Sequence, residues 1–197
     1  MNKIKNEEKP HKHRTEREYL TIDELRKLAQ TPFYNGLLKK AFLFSCFCGL
    51  RHSDIIALTW GDIEMDDDGN FRLYIIQKKT KEAISLPLSQ EAIKQLPKRE
   101  DAKEDDIIFK KLITLGRTNE ILPKWAEQAG IKKHITFHTA RHTHATMLLT
   151  LGVDLYTVSK LLGHTNIQTT QIYAKLVDES KNCLLYTSPS PRDLSTS

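Results

Sequence analysis

The chain predicts an α+β fold that is mostly α, a helical core carrying one small three-stranded antiparallel sheet. Three observations lead there. Helix-capping residues followed by apolar positions at helical spacing recur along the 197 residues, from Thr21-Ile22-Asp23-Glu24 to Asp154. One block alone, residues 62–88, is rich in strand formers and is broken by two tight turns. The length suits one domain with a substantial core and room for short tails.

Residues 1–18 are charged, lack apolar periodicity and centre on Lys9-Pro10-His11-Lys12-His13-Arg14. They read as a linker or arm, either flexible or laid along a polyanion. Thr21 and Glu24 form a capping box, and Leu25, Leu28 and Ala29 continue it as an amphipathic helix. Leu37 to Leu50 is apolar almost all round, which predicts a central buried helix. Gly49 ends it, and a shorter helix is expected from there through Leu58. Arg51 therefore stands at a helix junction beside a buried element. A cation held there needs an anionic partner, either Asp54 three residues on or the phosphate of a ligand.

Asp62 to Met65, Phe71 to Gln77 and Ala83 to Leu88 read as three strands. The acidic run Asp66-Asp67-Asp68-Gly69-Asn70 lacks the glycine position and closing glutamate of a calcium loop, so it is a hairpin turn. The second turn presents Lys78, Lys79 and Lys81, which are either solvated or able to reach a nucleic-acid groove. Ser89 caps a helix closed by Pro97, and Lys98 to Asp106 is a solvated loop. Ile107 to Phe109 drops an apolar plug into the core. Asn119 is expected to precede a helix carrying Ile121, Leu122, Trp125 and Ala129, with Pro123 in its first turn and Gly130 at its end.

Thr136 is a suitable N-cap for a helix through Leu151, with His138 and Arg141 on one face near its positive end. Asp154 caps the next helix, whose Val158, Leu161 and Leu162 run to Gly163-His164. Thr165 or Asn166 starts the last, with Ile167, Ile172 and Tyr173. From Lys181 the periodicity is lost, and residues 181–197 read as a disordered tail. Cys183 to Asp193 resembles a translated sequencing adapter, so that tail is expected to be non-native.

Thirty Lys and Arg against 25 Asp and Glu leave a net charge of +5, which permits a polyanionic partner without requiring one. The longest apolar stretch, Ala41 to Leu50, is too short to span a bilayer, and no secretory leader is visible. With Cys46, Cys48 and Cys183 as scattered thiols, the expected compartment is cytoplasmic. His138, His142 and His144 can be read as helix-surface histidines. His138 and His142 have metal-ligand spacing, but the helix lacks the metalloprotease glutamate and a third ligand, so neither metal nor other cofactor is expected. Tyr173, taken singly, could be a core residue.

As an ordered set, these residues resemble the catalytic domain of the tyrosine recombinases, the phage-integrase family. The resemblance covers Tyr19 to Leu176. Cys48-Gly49-Leu50-Arg51-His52-Ser53-Asp54 looks like the first arginine box, continued by Leu58-Thr59-Trp60-Gly61-Asp62-Ile63. Gln77-Lys78-Lys79-Thr80 looks like the hairpin bearing the catalytic lysine. His138-Thr139-Ala140-Arg141-His142-Thr143 looks like the second box, Leu161-Leu162-Gly163-His164 like the third, and Thr169-Thr170-Gln171-Ile172-Tyr173 like the nucleophile segment.

The resemblance implies a DNA breaking-rejoining fold over 19–180 and a division of labour. Arg51 and Arg141 would clamp the scissile phosphate, where charge concentrates in the transition state. Tyr173 would attack phosphorus to give a 3′-phosphotyrosyl link, with His138 as base and His164 donating a hydrogen bond. Lys79, which precedes Thr80 as the family lysine does, would protonate the leaving 5′-oxygen, and Asp54 would buttress an arginine or the histidine pocket. Arg51, Lys78, Lys79, Lys81 and Arg141 would contact DNA. The implied partner is double-stranded DNA, with a homotetramer on DNA in the parent protein and a monomer in solution for this chain. No core-binding domain precedes residue 19, so the chain reads as a fragment of a mobile-element integrase. A topoisomerase-like relaxing enzyme of type IB and a non-catalytic DNA-binding module are the alternatives.

Overall fold

The computed structural model describes residues 17–187, with side-chain surroundings through Asp178. Eight helices, α1 to α8, accompany the expected sheet among these residues. α1 (Ile22–Gln30) opens on the capping box, Thr21 Oγ1 accepting from the Glu24 N–H and Glu24 Oε2 from the Thr21 N–H. α2 (Gly36–Cys48) starts at Asn35, whose side chain accepts from the Leu38 N–H at 3.0 Å. Leu38, Ala41 to Cys46 and Cys48 are all buried, so α2 is the central helix its all-round apolar sequence predicts. It stops at Gly49, whose φ of +69° suits glycine. A Cβ there would also stand 2.7 Å from the His144 ring.

α3 (His52–Ile55) is shorter than expected, and the chain then passes through a 3-10 turn (Trp60–Asp62) into the sheet. β1 (Ile63–Met65), β2 (Phe71–Ile76) and β3 (Ala83–Pro87) form an antiparallel sheet in that order. Cross-strand pairs Ile63–Leu73, Leu73–Leu86 and Ile75–Ile84 face inward. Asp66 Oδ1 closes the first turn by accepting from Asp68 and Asn70 N–H groups. α4 (Gln90–Lys94) is capped by Ser89. Of the expected plug, Ile108 and Phe109 are buried while Ile107 stays exposed, and the Ile108 N–H donates to the Leu58 carbonyl.

α5 (Leu115–Gln128) departs from expectation. Thr114 caps it, so Asn119 lies within the helix and Pro123 in its interior. The Asn119 side chain instead accepts from the Phe137 N–H at 2.9 Å, closing the start of α6 (Phe137–Thr150) from a neighbouring helix. Thr136, expected to cap α6 through its hydroxyl, offers its N–H to Thr139 Oγ1. α7 (Leu155–Leu162) is capped by Asp154 and ends at Gly163. α8 (Gln168–Thr187) begins where Asn166 Oδ1 accepts from the Gln168 N–H. Residues 181–187, read from sequence as the start of an irregular tail, continue α8, whose backbone ladder carries through that stretch. The rest of the expected tail, and residues 1–16 of the arm, lie outside the described residues.

α6 packs between α2 and α8. This makes α6 buried on nearly every side, which overturns the surface reading of two histidines: His142 and His144 are 7% and 3% exposed. His144 lies beneath Gly49 and Leu162.

Candidate active site

The site forms where four chain segments meet: the α2–α3 junction, the β2–β3 turn, the first half of α6, and the α7–α8 region. Arg141 projects from α6 into the interior and is 1% exposed. Its Nη1 donates to the Gly49 carbonyl at 2.8 Å and its Nη2 to the Leu162 carbonyl at 2.5 Å. Those carbonyls belong to the ends of α2 and α7, where the helical ladder leaves acceptors to be satisfied. Burial, then Arg51, lowers the Arg141 pKa to about 10, so the guanidinium stays charged at neutral pH.

Arg51 stands at the N-terminus of α3, half-buried. Its Nη1 donates to Gln77 Oε1. Burial lowers its pKa, offset by Asp54 and then Tyr173. Asp54 is buried and accepts from the Arg51 N–H at 3.3 Å and the Lys78 N–H at 3.1 Å. It thus ties the backbone of the arginine junction to the backbone of the lysine turn. Lys78, Lys79 and Lys81 are exposed at that turn. Lys81 takes a φ of +60° there, and its N–H donates to the Gln77 carbonyl.

His138 keeps an exposed edge and meets His142 edge-on, with ring centroids 4.5 Å apart. Desolvation, then Arg141, Arg51, Arg17 and Lys79, lowers the His138 pKa to about 4. His164 follows α7, its Nδ1 2.8 Å from Thr170 Oγ1, and burial with Arg141 and Arg51 lowers its pKa to about 4. Both imidazoles are neutral at pH 7, because burial first and the positive neighbourhood second disfavour a further proton.

Tyr173 is 1% exposed, and its hydroxyl lies 2.8 Å from His142 Nδ1. With the His142 proton on Nε2, the hydroxyl donates to Nδ1. Burial raises the Tyr173 pKa, while Arg141, Arg17 and Arg51 pull it down. The His142 pKa falls to about 3, through burial first and His138 second. The tyrosine is thus protonated and packed away at neutral pH, with three arginines, Arg141, Arg17 and Arg51, near enough to favour its phenolate.

Arg51, His138, Arg141, His164 and Tyr173 share one electrostatic neighbourhood, with Lys79 at its rim and Asp54 beneath the turn. Three participants were not singled out from sequence. His142 sits four residues from His138, a spacing weighed only for metal. Gln77 occupies an inward position after Leu73 and Ile75, and a polar side chain on that face was the available signal. Arg17, at the end of the charged arm, acts on His138, His142, His164 and Tyr173. Nothing local marks it, but the arm after it is bound to α6 where the Leu20 N–H donates to Thr143 Oγ1 at 2.9 Å. Among the described residues, no three His, Cys, Asp or Glu side chains gather as metal ligands.

A chain with this arrangement has relatives. It is 32% identical over 171 residues to a tyrosine recombinase of Pseudothermotoga lettingae, covering 83% of this chain and 58% of that protein. It is 34% identical over 173 residues to the tyrosine recombinase XerD of Listeria monocytogenes, covering 78% and 56%. The chain therefore spans a little over half the length of these curated relatives. Among solved structures, the XerA recombinase superposes with a TM-score of 0.69 at 22% identity, over 87% of this chain and 65% of that one. The Tn1549 transposon integrase in complex with circular intermediate DNA superposes with a TM-score of 0.63 at 16% identity, over 80% and 62%. These two likenesses show a shared fold. Residues 18–180 match the model of the phage integrase family, and the chain belongs to that family.

Proposed function

We propose that this chain is the catalytic part of a site-specific DNA recombinase, which breaks and rejoins strands through a 3′-phosphotyrosyl intermediate. The observation that carries the reading is a buried tyrosine electrostatically coupled to two arginines, Arg141 held by backbone carbonyls and half-buried Arg51. Arg51 and Arg141 grip the non-bridging oxygens of the scissile phosphate, where charge builds up in the pentavalent transition state. Each keeps guanidinium N–H groups beyond those used within the protein, and a bound phosphate takes them. Neutral His138 accepts the Tyr173 proton as the phenolate attacks phosphorus, and His164 donates to a phosphate oxygen.

The leaving group is the 5′-oxygen, protonated by Lys79 from the exposed turn. Because the phosphotyrosyl bond keeps the energy of the broken phosphodiester, the 5′-hydroxyl of a partner strand reverses the step. For attack, Tyr173 must exchange the His142 contact for the phosphate, so the arrangement seen is a resting one. Supporting the reading, curated relatives of the chain are named tyrosine recombinases. The Tn1549 integrase, of like fold, is a transposon enzyme, which favours a mobile-element role. In the longer parent protein four such domains would act together on duplex DNA, and this chain alone would be monomeric.

The test is covalent trapping from a randomised library of nicked duplexes. The expected result is a protein–DNA adduct from the wild-type chain and none from Tyr173→Phe, with equal DNA retention. Retention without any adduct from wild type would replace this reading with a non-catalytic binding module. Relaxation of supercoiled plasmid with no site preference would favour a topoisomerase of related chemistry.

A further inference from the structure

Gln77 directly follows strand β2, continuing its buried face, and is itself fully buried. Its Oε1 accepts from Arg51 Nη1 and from Thr80 Oγ1 at 2.9 Å. Its Nε2 donates to the Leu162 carbonyl at 3.1 Å, the same oxygen that receives Arg141 Nη2 at 2.5 Å. One amide thus joins the lysine turn, the first arginine, the end of α7 and, through a shared acceptor, the second arginine. The amide orientation follows from its neighbours, since a guanidinium can only donate and a carbonyl can only accept. No other side chain of this length supplies an acceptor at one corner and a donor at the other without adding charge. Gly163 leaves the room for it, because a Cβ at that position would stand 2.7 Å from Gln77 Oε1.

We propose that Gln77 is a positioning residue for strand cleavage, locking Arg51, the Lys78–Lys79 turn and the C-terminal end of α7 into one unit. The proposal rests on the recombinase reading above. It touches no reacting atom. By occupying one N–H of Arg51, Gln77 fixes the plane in which the remaining donors meet the phosphate, and Thr80 couples that plane to the turn carrying Lys79. Its partners account for the burial of an amide at a position where Leu73 and Ile75 set an apolar face.

The experiment compares wild type, Gln77→Met and Gln77→Glu on a nicked duplex recovered by trapping, present well above its dissociation constant. Gln77→Met fills the same space without hydrogen bonds, and its single-turnover cleavage should fall on the order of 10²-fold with DNA affinity held within about threefold. Gln77→Glu keeps the acceptor for Arg51 but pairs its charge and sets a carboxylate against the Leu162 carbonyl, so cleavage should fall at least as far. In an Arg51→Lys background the effect of Gln77→Met should shrink to below roughly threefold, because the two residues act as one.

Wild-type cleavage rates in either Gln77 variant overturn the proposal. So does an undiminished effect in the Arg51→Lys background, which would show support of the fold independent of Arg51. Absence of any adduct from the wild-type chain is a different result, since it removes the recombinase reading itself and the positioning role with it.

Discussion

The large core and the small cluster around Tyr173 are built to different standards. The first joins Phe42, Trp125 and Phe137 edge to face around α2, with Phe33 stacked on Trp125 and Phe44 against Phe109. The second consists of Ala145, Val158, Leu162 and Tyr173, with Leu148, Leu149, Val153, Ile172 and Leu176 packed on it. Arg141 bridges the two, donating to the carbonyl of Gly49 at the end of the central helix and to that of Leu162 in the second cluster. Tyr173 rests in the second, its hydroxyl against the His142 imidazole and within reach of Arg17. Under the proposed mechanism this division is useful. Arg141 is preorganised by backbone carbonyls at two helix ends, one of them in the core that resists rearrangement, whereas the nucleophile's side chain sits wholly in the small cluster.

The contrast predicts that stability and activity respond in opposite orders. Gly49→Ala should be the most destabilising change, at about 3 kcal/mol, since it combines an unfavourable φ with overpacking. Its Cβ would press on His144 2.7 Å away, and a urea midpoint within error of wild type would show that α2 ends more loosely than described.

Acidification is the next test. His138, His142, His144 and His164 all have pKa values lowered below 6.5, to about 4, 3, 4 and 4. Between pH 6.5 and about 4 the unfolded chain binds more protons than the folded one, so stability is complete above 6.5 and is lost as pH falls. His144 is fully enclosed and neither ring nitrogen completes a hydrogen bond, although the Cys46 backbone offsets part of the cost of burial. It alone should contribute a loss on the order of 3 kcal/mol by pH 4. Urea melts at pH 7.5, 6 and 5 read the slope, which His144→Phe should flatten. A midpoint constant across that range would refute the sign.

Tyr173→Phe lies further down the stability scale and at the top of the activity scale. It removes the hydroxyl's bond to His142 Nδ1 and its contact with Arg17, so about 1 kcal/mol is expected, with all adduct formation lost. A loss of several kcal/mol would mean that the tyrosine cluster is as firmly built as the large core. Lys79→Ala closes the series. Its side chain is exposed, so stability should stay within about 0.5 kcal/mol while strand cleavage slows. Lys78→Ala and Lys81→Ala are the controls. If either slows cleavage more than Lys79→Ala does, the assignment of the acid moves to that residue.

What the sequence determined by itself was local. The Thr21 capping box, the Asp66 turn, the all-round apolar α2 and the Asp154 cap each depend on residues within a few positions of one another. Their physical causes can therefore be read from spacing. The boxes holding Arg51, His138–Arg141, His164 and Tyr173 were legible in the same way, as short ordered segments. Tertiary structure decided everything that depends on a distant partner. Arg141 finds the Gly49 carbonyl 92 positions away and Gln77 finds that of Leu162 85 positions away. Asn119 caps α6 from within α5, so its local look as a helix start was misleading. The burial of His142 and His144 follows from α6 lying between two other helices, which composition could not reveal. Buried polar atoms need partners wherever the fold provides them, and for these residues the partner lies beyond the reach of local pattern.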